Sequence, residues 1–528
     1  MLYQALNPVF KPARPENPAL FGGEGRIFRP EHPERRLAPQ RLEPRGLSIE
    51  CPVLKLTKSI TWNGSSPIRQ IRTPETKPPM DASDAVFLAR AQFGLNISFH
   101  ILFPTITIAL AWILVYFRAQ YARTGDAGWL ETYRLWTKIF ALTFAMGVVS
   151  GIVMSFQFGT NWPGFMNTVG NVAGPLLAFE VLTAFFLEAT FLGVMLFGMN
   201  RVPGWMHMLS TVLVAVGTSL SAFWILALNS WMQTPTGHAY VDGALIAGDW
   251  WQVMFNPSFP YRLTHMLLAS GLTAAFVVAG LSAWRLLQAA GDRAARRTLR
   301  TGLVIAAVLA PLQAWVGDLH GLNTLEHQPA KIAAMEAIWK TDKGVPLVLL
   351  AIPNEAERRN DFSIEIPKGA SLILKHSADA ELKGLDHFEP DIPPVGPVFF
   401  SFRLMVGMGM LMIALSWFGV WKTRGGMLPA RWLLWTLAGF TFSGWIATLA
   451  GWMVTEIGRQ PWLVTGILRT ADAAAPISGA QLGASLTGYV ITYGMMIIAY
   501  MVVLTHMAGK GSAPEPGRHA ALRQGAAA

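Results

Sequence analysis

The chain has 528 residues, is 52% hydrophobic and only 14% charged, and carries a net charge of +10. A soluble domain carries about 25% charged residues and the mean hydropathy here is +0.36, so a soluble globular enzyme is excluded. A single cysteine, Cys51, excludes an intrachain disulfide, a CxxCH attachment motif and a cysteine-ligated iron–sulfur cluster.

Residues 1–79 are rich in Pro and Arg and show no hydrophobic periodicity. They read as a disordered extension. They hold 13 basic and 7 acidic residues, which is +6 of the +10. The basic balance is therefore a tail and loop bias, and nucleic acid is not an expected partner. No apolar h-region marks a signal peptide. Met80-Asp81-Ala82-Ser83-Asp84 reads as a fresh start, so the expectation is a chain that begins at Met80. A basic arm that binds anionic lipid is the alternative.

Nine apolar runs follow, near 94–117, 138–158, 174–199, 205–231, 262–288, 300–317, 398–421, 432–453 and 482–507. About 20 residues of helix cross a ~30 Å hydrocarbon core. The alternating pattern of a barrel strand is absent. The expected fold is all-α, a polytopic membrane protein with about nine transmembrane helices. Run 300–317 is the shortest and contains Pro311.

Basic residues cluster in alternate connections: Arg118, Arg123, Arg134 and Lys138 after the first run, Arg285 to Arg300 after the fifth, and Lys422, Arg424 and Arg431 after the seventh. The positive-inside rule makes these cytoplasmic, with the amino terminus outside and the carboxyl terminus inside. A translocated start fits Met80 better than a basic tail of 79 residues. Segment 318–397 is then extracytoplasmic, polar and Pro-containing, and residues 508–528 form a cytoplasmic disordered tail.

Orientation gathers scattered polar residues into one layer. His100, Glu180, His265, Arg403, Met405 and Glu456 all fall in the outer part of the membrane. An ionisable residue inside a span is costly and marks a functional site. Each one alone can also be a satisfied interhelical hydrogen-bonder. Glu180 and Glu188 are eight residues apart, about 12 Å of helix rise and within some 80° of one face. Buried carboxyls can hold and pass a proton, which suits a path from the cytoplasm through Glu188 to Glu180. The competing reading is a pair bonded to neighbouring helices. In the external segment, Ala330-Lys331-Ile332-Ala333-Ala334-Met335-Glu336 reads as an amphipathic helix, and a solvated charged helix is its plainer explanation.

Gly451-Trp452-Met453-Val454-Thr455-Glu456-Ile457-Gly458-Arg459-Gln460-Pro461-Trp462 closes the eighth run. With Tyr261-Arg262-Leu263-Thr264-His265, Phe402-Arg403-Leu404-Met405 and Asn96-Ile97-Ser98-Phe99-His100, it resembles the large haem-bearing subunit of the cytochrome bd quinol oxidases, from about Met80 to about Met507. The resemblance implies ubiquinol oxidation at the external loop and reduction of O2 to water at a high-spin haem pair, electrogenic without a pumping channel. It implies two haem b and one haem d. His265 and Met405 are the implied axial pair of the low-spin haem b, with Arg403 near its propionates. His100 is implied as a ligand to haem d and Glu456 to the high-spin haem b. Trp452 and Arg459 belong to the same motif.

Lys331 and Glu336 fall where the family's quinol-binding loop places its proton acceptor and donors. The segments 154–162 and 224–233 also match family segments that line the haem pockets. The external segment lacks an insertion between about Leu385 and Pro397. With Leu325-Glu326-His327-Gln328-Pro329-Ala330-Lys331 it looks like the short-loop, cyanide-insensitive branch, where a second high-spin haem b can replace haem d. The resemblance also implies a second, smaller membrane subunit, a lipid bilayer setting and the bacterial inner membrane. The competing class is a haem-free, proton-coupled transporter using Glu180, Glu188 and His265. Inverted repeats would favour it, and the sequence shows none.

Overall fold

The structure, a computed structural model, describes residues 82–510. The expected extension 1–79, the start at Met80 and residues 511–528 of the tail lie outside the described residues. Among the described residues, nine helical stretches are long and apolar enough to cross a membrane: Ala85–Thr124, Ala127–Thr160, Pro163–Phe197, Gly204–Gln233, Phe259–Gln288, Arg293–His327, Val395–Lys422, Arg431–Ile457 and Gly479–Gly509. Each expected run falls within one of them or overlaps it closely. The fold is an all-α membrane protein with four two-stranded antiparallel ribbons in the connections.

Boundaries depart from hydropathy where local chemistry decides. The sixth helix runs from Arg293 to His327, well past both ends of the apolar run. Asp292 caps it, accepting from the Ala295 N–H at 2.9 Å. Pro311 is carried inside, as membrane helices tolerate. The ends were invisible to hydropathy because they are charged.

The first span is two helices, Ala82–Ile101 and Pro104–Thr124. Pro104 has no N–H and crowds the preceding turn. The carbonyls it releases are taken up again. Thr105 Oγ1 donates to Ile101 O at 3.0 Å and to Leu102 O at 2.8 Å. Trp445 Nε1, from the eighth span, donates to Leu102 O at 2.7 Å. His100 sits just before this kink.

The third span holds Pro175 and then a π-helical turn, Glu180–Phe185. A π turn bonds i to i+5 and advances fewer degrees per residue than an α turn. The regular-helix angle expected between Glu180 and Glu188 therefore does not apply.

The fifth span is the most enclosed, with 78% of its apolar window buried against 17% for the ninth. A Cβ on Gly302 of the sixth span would stand 2.6 Å from Ala275 O of the fifth. Small residues let these two backbones touch, a common device where lipid supplies no hydrophobic drive between helices.

The connection between the sixth and seventh spans contains a short helix, Pro329–Glu336, a hairpin of strands Leu347–Asn354 and Arg359–Ile366, and a helix, Gly369–Lys375. Its core includes Ile332, Trp339, Val345, Val348 and Leu385, and it is continuous with Val398 and Phe399 of the seventh span and Val454 of the eighth. This cap packs onto the span ends, and that packing positions the site.

Candidate functional site

Glu456 lies in the last turn of the helix Ser443–Ile457. One carboxylate oxygen accepts from Asn229 Nδ2 at 3.0 Å. The other accepts from Arg459 Nη2, one turn on. Asn229 Oδ1 in turn accepts from Arg262 Nη1 at 2.9 Å. A Cβ on Gly458 would stand 2.8 Å from Lys331 Cγ, so the lysine stem lies against the motif's glycine. Lys331 Nζ donates to Gln233 Oε1 at 2.6 Å and Gln328 Oε1 at 2.8 Å. Arg262, Lys331 and Arg459 are all buried, so three cations surround one carboxylate. Arg459 Nε and Nη1 and Gln233 Nε2 are buried without a partner. Burial, and then the Arg262 and Arg459 charges, hold the Lys331 ammonium well below the ordinary lysine range, against the opposing pull of Glu456.

Glu336 and Arg403 form a second buried pair, with Nη2 to Oε2 at 2.8 Å. Arg403 also donates to the carbonyls of Met335 and Val348 and stacks over Phe399 at 3.9 Å. Its guanidinium is thus committed to the cap. Burial pushes the Glu336 carboxyl up, and Arg403 opposes that. Glu336 also lines a cavity of 190 Å³ with Trp339, Val345, Val348, Asn360 and Glu365. The solvated-helix explanation fails for Lys331 and Glu336, which are only 3% and 6% exposed.

His265 of the fifth span faces the sixth. A Cβ on Gly317 would stand 3.3 Å from its Cε1, and the His320 ring is 5.4 Å away, edge to face. His265 Nδ1 is buried without a partner. Met405 faces the eighth span, where a Cβ on Gly451 would come within 2.9 Å of Sδ. Trp452 packs against the buried cluster of Leu226, Ala227 and Phe259.

His100, on the first span, packs against the second. Its Nδ1 is 3.0 Å from Ser150 Oγ, and Ser150 also donates to Met146 O at 2.8 Å and Gly147 O at 3.1 Å. In the tautomer whose Nδ1–H donates to Ser150, Nε2 keeps its lone pair, the arrangement a metal-binding imidazole needs. Gly151 lies against the ring at 3.0 Å from Cε1 to its would-be Cβ.

Glu180 accepts from Ser221 Oγ at 2.8 Å. A Cβ on Gly217 would stand 2.6 Å from Glu188 Cγ. Ser221 and Gly217 are one turn apart on the fourth span, so the two carboxylates meet adjacent turns of that helix. Glu188 is buried, and its Oε1 has no partner.

The structure thus brings Glu456, Arg459 and Lys331 together, and Glu336 with Arg403. It aligns Glu180 and Glu188 on the fourth span, and it leaves His100 apart on Ser150. Sequence reasoning singled out neither Arg262, which bridges through Asn229, nor His320, nor the partners Gln233, Gln328 and Ser221. A row of polar and small residues at multiples of four on the fourth span, Gly217, Ser221, Asn229 and Gln233, interrupted by Ile225, was the available signal.

A multi-helix membrane protein whose spans bury His, Met, carboxylate and paired cations at one end is the class this geometry defines. Residues 88–512 match the model of the cytochrome bd terminal oxidase subunit I family. The chain is 33% identical over 518 residues to cytochrome bd-II ubiquinol oxidase subunit 1 of Escherichia coli (strain K12), covering 84% of this chain and 100% of that protein. It is 33% identical over 429 residues to cytochrome bd ubiquinol oxidase subunit 1 of Bacillus subtilis (strain 168), covering 79% and 90%. The solved bd oxidase structure from Geobacillus thermodenitrificans superposes with a TM-score of 0.76 at 31% identity, covering 81% of this chain and 99% of that one. The chain belongs to the cytochrome bd terminal oxidase subunit I family. It is a multi-pass subunit of a membrane-bound terminal quinol oxidase.

Proposed function

We propose that this chain oxidises ubiquinol at the cap between the sixth and seventh spans and reduces O2 to water at a high-spin haem pair. The observation that carries this is the junction of Lys331 with the Glu456–Arg459 motif through Gly458. It joins the loop that would hold quinol to the span end that would hold haem.

The donor set fits haem. His100 keeps an unshared Nε2, Glu456 keeps 30% of its side chain accessible, and His265 and Met405 each lie against a glycine. The unpartnered N–H groups of Arg459, with cations outnumbering carboxylates, suit haem propionates. In this reading His265 and Met405 hold a low-spin haem b, Glu456 a high-spin haem b and His100 haem d, with a second haem b as the short-loop alternative. When bound, the haems supply the redox centres that accept electrons from quinol and deliver them to oxygen. Arg403 is engaged by Glu336, so Arg459 and Arg262 are the stronger candidates for propionates.

The protein's own part is positioning and proton handling. Lys331 offers its N–H bonds to a quinol oxygen, and Glu336 accepts a hydroxyl proton. The raised affinity of Glu336 for protons and the weakened hold of Lys331 suit those roles. Glu188, Ser221 and Glu180 form the inward-facing line that supplies protons for water formation. Quinol protons leave outside and oxygen's protons come from inside, so turnover is electrogenic without a pump. The amino terminus is then periplasmic, the carboxyl terminus cytoplasmic and the host membrane the bacterial inner membrane. A second, smaller membrane subunit completes the assembly.

A reduced-minus-oxidised spectrum of the purified oxidase tests this reading. Haem b bands with a far-red band support haem d, and haem b bands alone support the short-loop composition. Folded protein without haem overturns the proposal in favour of a proton-coupled transporter.

A further inference from the structure

The external hairpin carries an apolar face that the described residues leave uncovered. Val348 and Ala351 are buried against the cap, while Leu350, Ile352, Ile364 and Ile366 are half exposed and Phe362 is 88% exposed. Leu350 pairs with Ile364, and Ile352 with Asp361. Phe362 and Ser363 therefore oppose Ala351 alone, a bulge that bends the strand. Phe362 takes φ +52°, an outlier for a bulky side chain. Such a conformation is strained and persists only where its surroundings over-determine it. No internal packing rewards a ring that is nearly all exposed.

The hairpin's depth is fixed by contacts at both ends. At its turn, Glu355 Oε1 accepts from the Val395 and Gly396 N–H groups at 2.9 and 3.1 Å, capping the seventh span. At its base, Val348 O accepts from Arg403. Val395 to Arg403 is about 12 Å of helix. The strand Leu347–Asn354 therefore lies alongside the first two turns of a membrane span. Phe400 on those turns and Leu404 just beyond them are also exposed, so uncovered apolar side chains sit both on the hairpin and on the span beside it.

We propose that this hairpin is an interfacial membrane anchor, with Leu350, Ile352, Phe362 and Ile364 seated among outer-leaflet lipids. The ribbon has only two strands, so its outer edge leaves backbone groups unpaired. Those groups need water, which excludes the hydrocarbon interior and places the ribbon at headgroup depth. Glu357, Arg358 and Arg359 at the turn stay on the aqueous side. The inner side of the hairpin, through Val348, Asn360 and Glu365, walls the 190 Å³ cavity that Glu336 shares. One consequence rests on the quinol reading: a lipid-borne substrate reaches the cavity from the outer leaflet, past this ribbon. The placement itself does not depend on that reading.

The single cysteine makes a clean test. Cys51→Ser is combined in turn with Phe362→Cys, Ile364→Cys, Leu350→Cys and Arg358→Cys, each carrying a nitroxide label. The complete oxidase is measured in lipid nanodiscs without reductant. Collision with O2, which concentrates in lipid, is compared with collision with a neutral nickel chelate, which stays in water. The expected result is a several-fold higher O2-to-nickel ratio at 350, 362 and 364 than at 358. Equal ratios at all four positions place the ribbon in water and overturn the proposal. Suppression of both collisions at 350, 362 and 364 shows a protein partner or a second copy on this face, and also overturns it. Neither outcome depends on haem or quinol, so failure here leaves the oxidase reading standing.

Discussion

The fourth span presents its ridge of residues at spacing four to two very different carboxylate sites. Its inner part in the proposed orientation, Gly217 and Ser221, meets Glu188 and Glu180. Its outer part in that orientation, Asn229 and Gln233, meets Glu456 and Lys331. Such a ridge winds around the helix as it rises, so one row of residues serves two neighbours on different sides. The inner carboxylates have a hydroxyl and a glycine beside them and, among the described residues, no cation within hydrogen-bond reach. The outer carboxylate sits among three cations. A carboxyl beside a hydroxyl can gain or lose a proton with little rearrangement, because a hydroxyl both donates and accepts. A carboxylate fixed by guanidinium and amide donors is an anchored charge. The contrast separates a group suited to moving protons from a group suited to holding a cofactor.

The strongest way to break the contrast is Arg459→Ala. Removing one partner of a fully buried pair costs about 3–5 kcal/mol, and the partial accessibility of Glu456 puts the loss here at the lower end of that range. The variant should lose that much stability in thermal unfolding of the detergent-solubilised oxidase, and the haem bands should weaken with it. If Arg459→Ala keeps wild-type stability and haem content, the outer cluster is not the anchor described here.

The sequence showed the anchored site better than the mobile one. Glu456 and Arg459 are three residues apart across a helix end, so their pairing needs no distant element. The nine spans followed from hydropathy, since about 20 apolar residues have few other uses. Charged helix ends escaped it, which is why His320 and Asp318 read as loop although the sixth helix carries them. The π turn at Glu180 was not legible, because Glu180–Phe185 has no residue that distinguishes π from α winding. Arg262 stood in view within a quoted motif. Its role needed the fourth span, since only a third helix brings Asn229 between Arg262 and Glu456. Burial of Lys331 was equally hidden, as eight residues with two charges look solvated until the cap's core is built.

Glu188→Gln probes the other side of the comparison. It keeps size and hydrogen bonding but cannot carry a proton. Turnover with quinol should fall about a hundredfold, or ~2.7 kcal/mol of barrier, with the haem spectrum and thermal midpoint unchanged. Loss of haem in this variant would show that the inner carboxylates are structural.

Lys331→Met sharpens the contrast through pH. The Lys331 ammonium is held below its ordinary range, so the unfolded chain binds a proton that the folded chain resists. Stability on this account rises with pH and is lowest below the folded value. The variant lacks the charge but leaves Gln233 Oε1 and Gln328 Oε1 without a donor, a cost of about 1–3 kcal/mol. The thermal midpoint of the wild type should therefore gain on that of the variant as pH rises from 7 to about 10. A difference independent of pH would show that the ammonium is not disfavoured by its surroundings.

The finest test compares two substitutions on the same ridge. Ser221→Ala removes one hydroxyl donor from Glu180, and a hydrogen bond of this kind is worth about 0.5–1.5 kcal/mol. Asn229→Ala removes the amide that joins Arg262 to Glu456 and so loosens two charged groups at once. If the inner site moves protons, Ser221→Ala should slow turnover by several-fold to about tenfold, with haem bands at wild-type values and stability lowered by no more than that one hydrogen bond. Asn229→Ala should lower stability and disturb the haem spectrum. Both residues face span partners from the same helix at the same spacing, so helix disruption alone would affect them alike. Equal losses of haem from the two variants would mean that the ridge acts as one structural seam, and the division between a proton-moving site and a cofactor-holding site would fall.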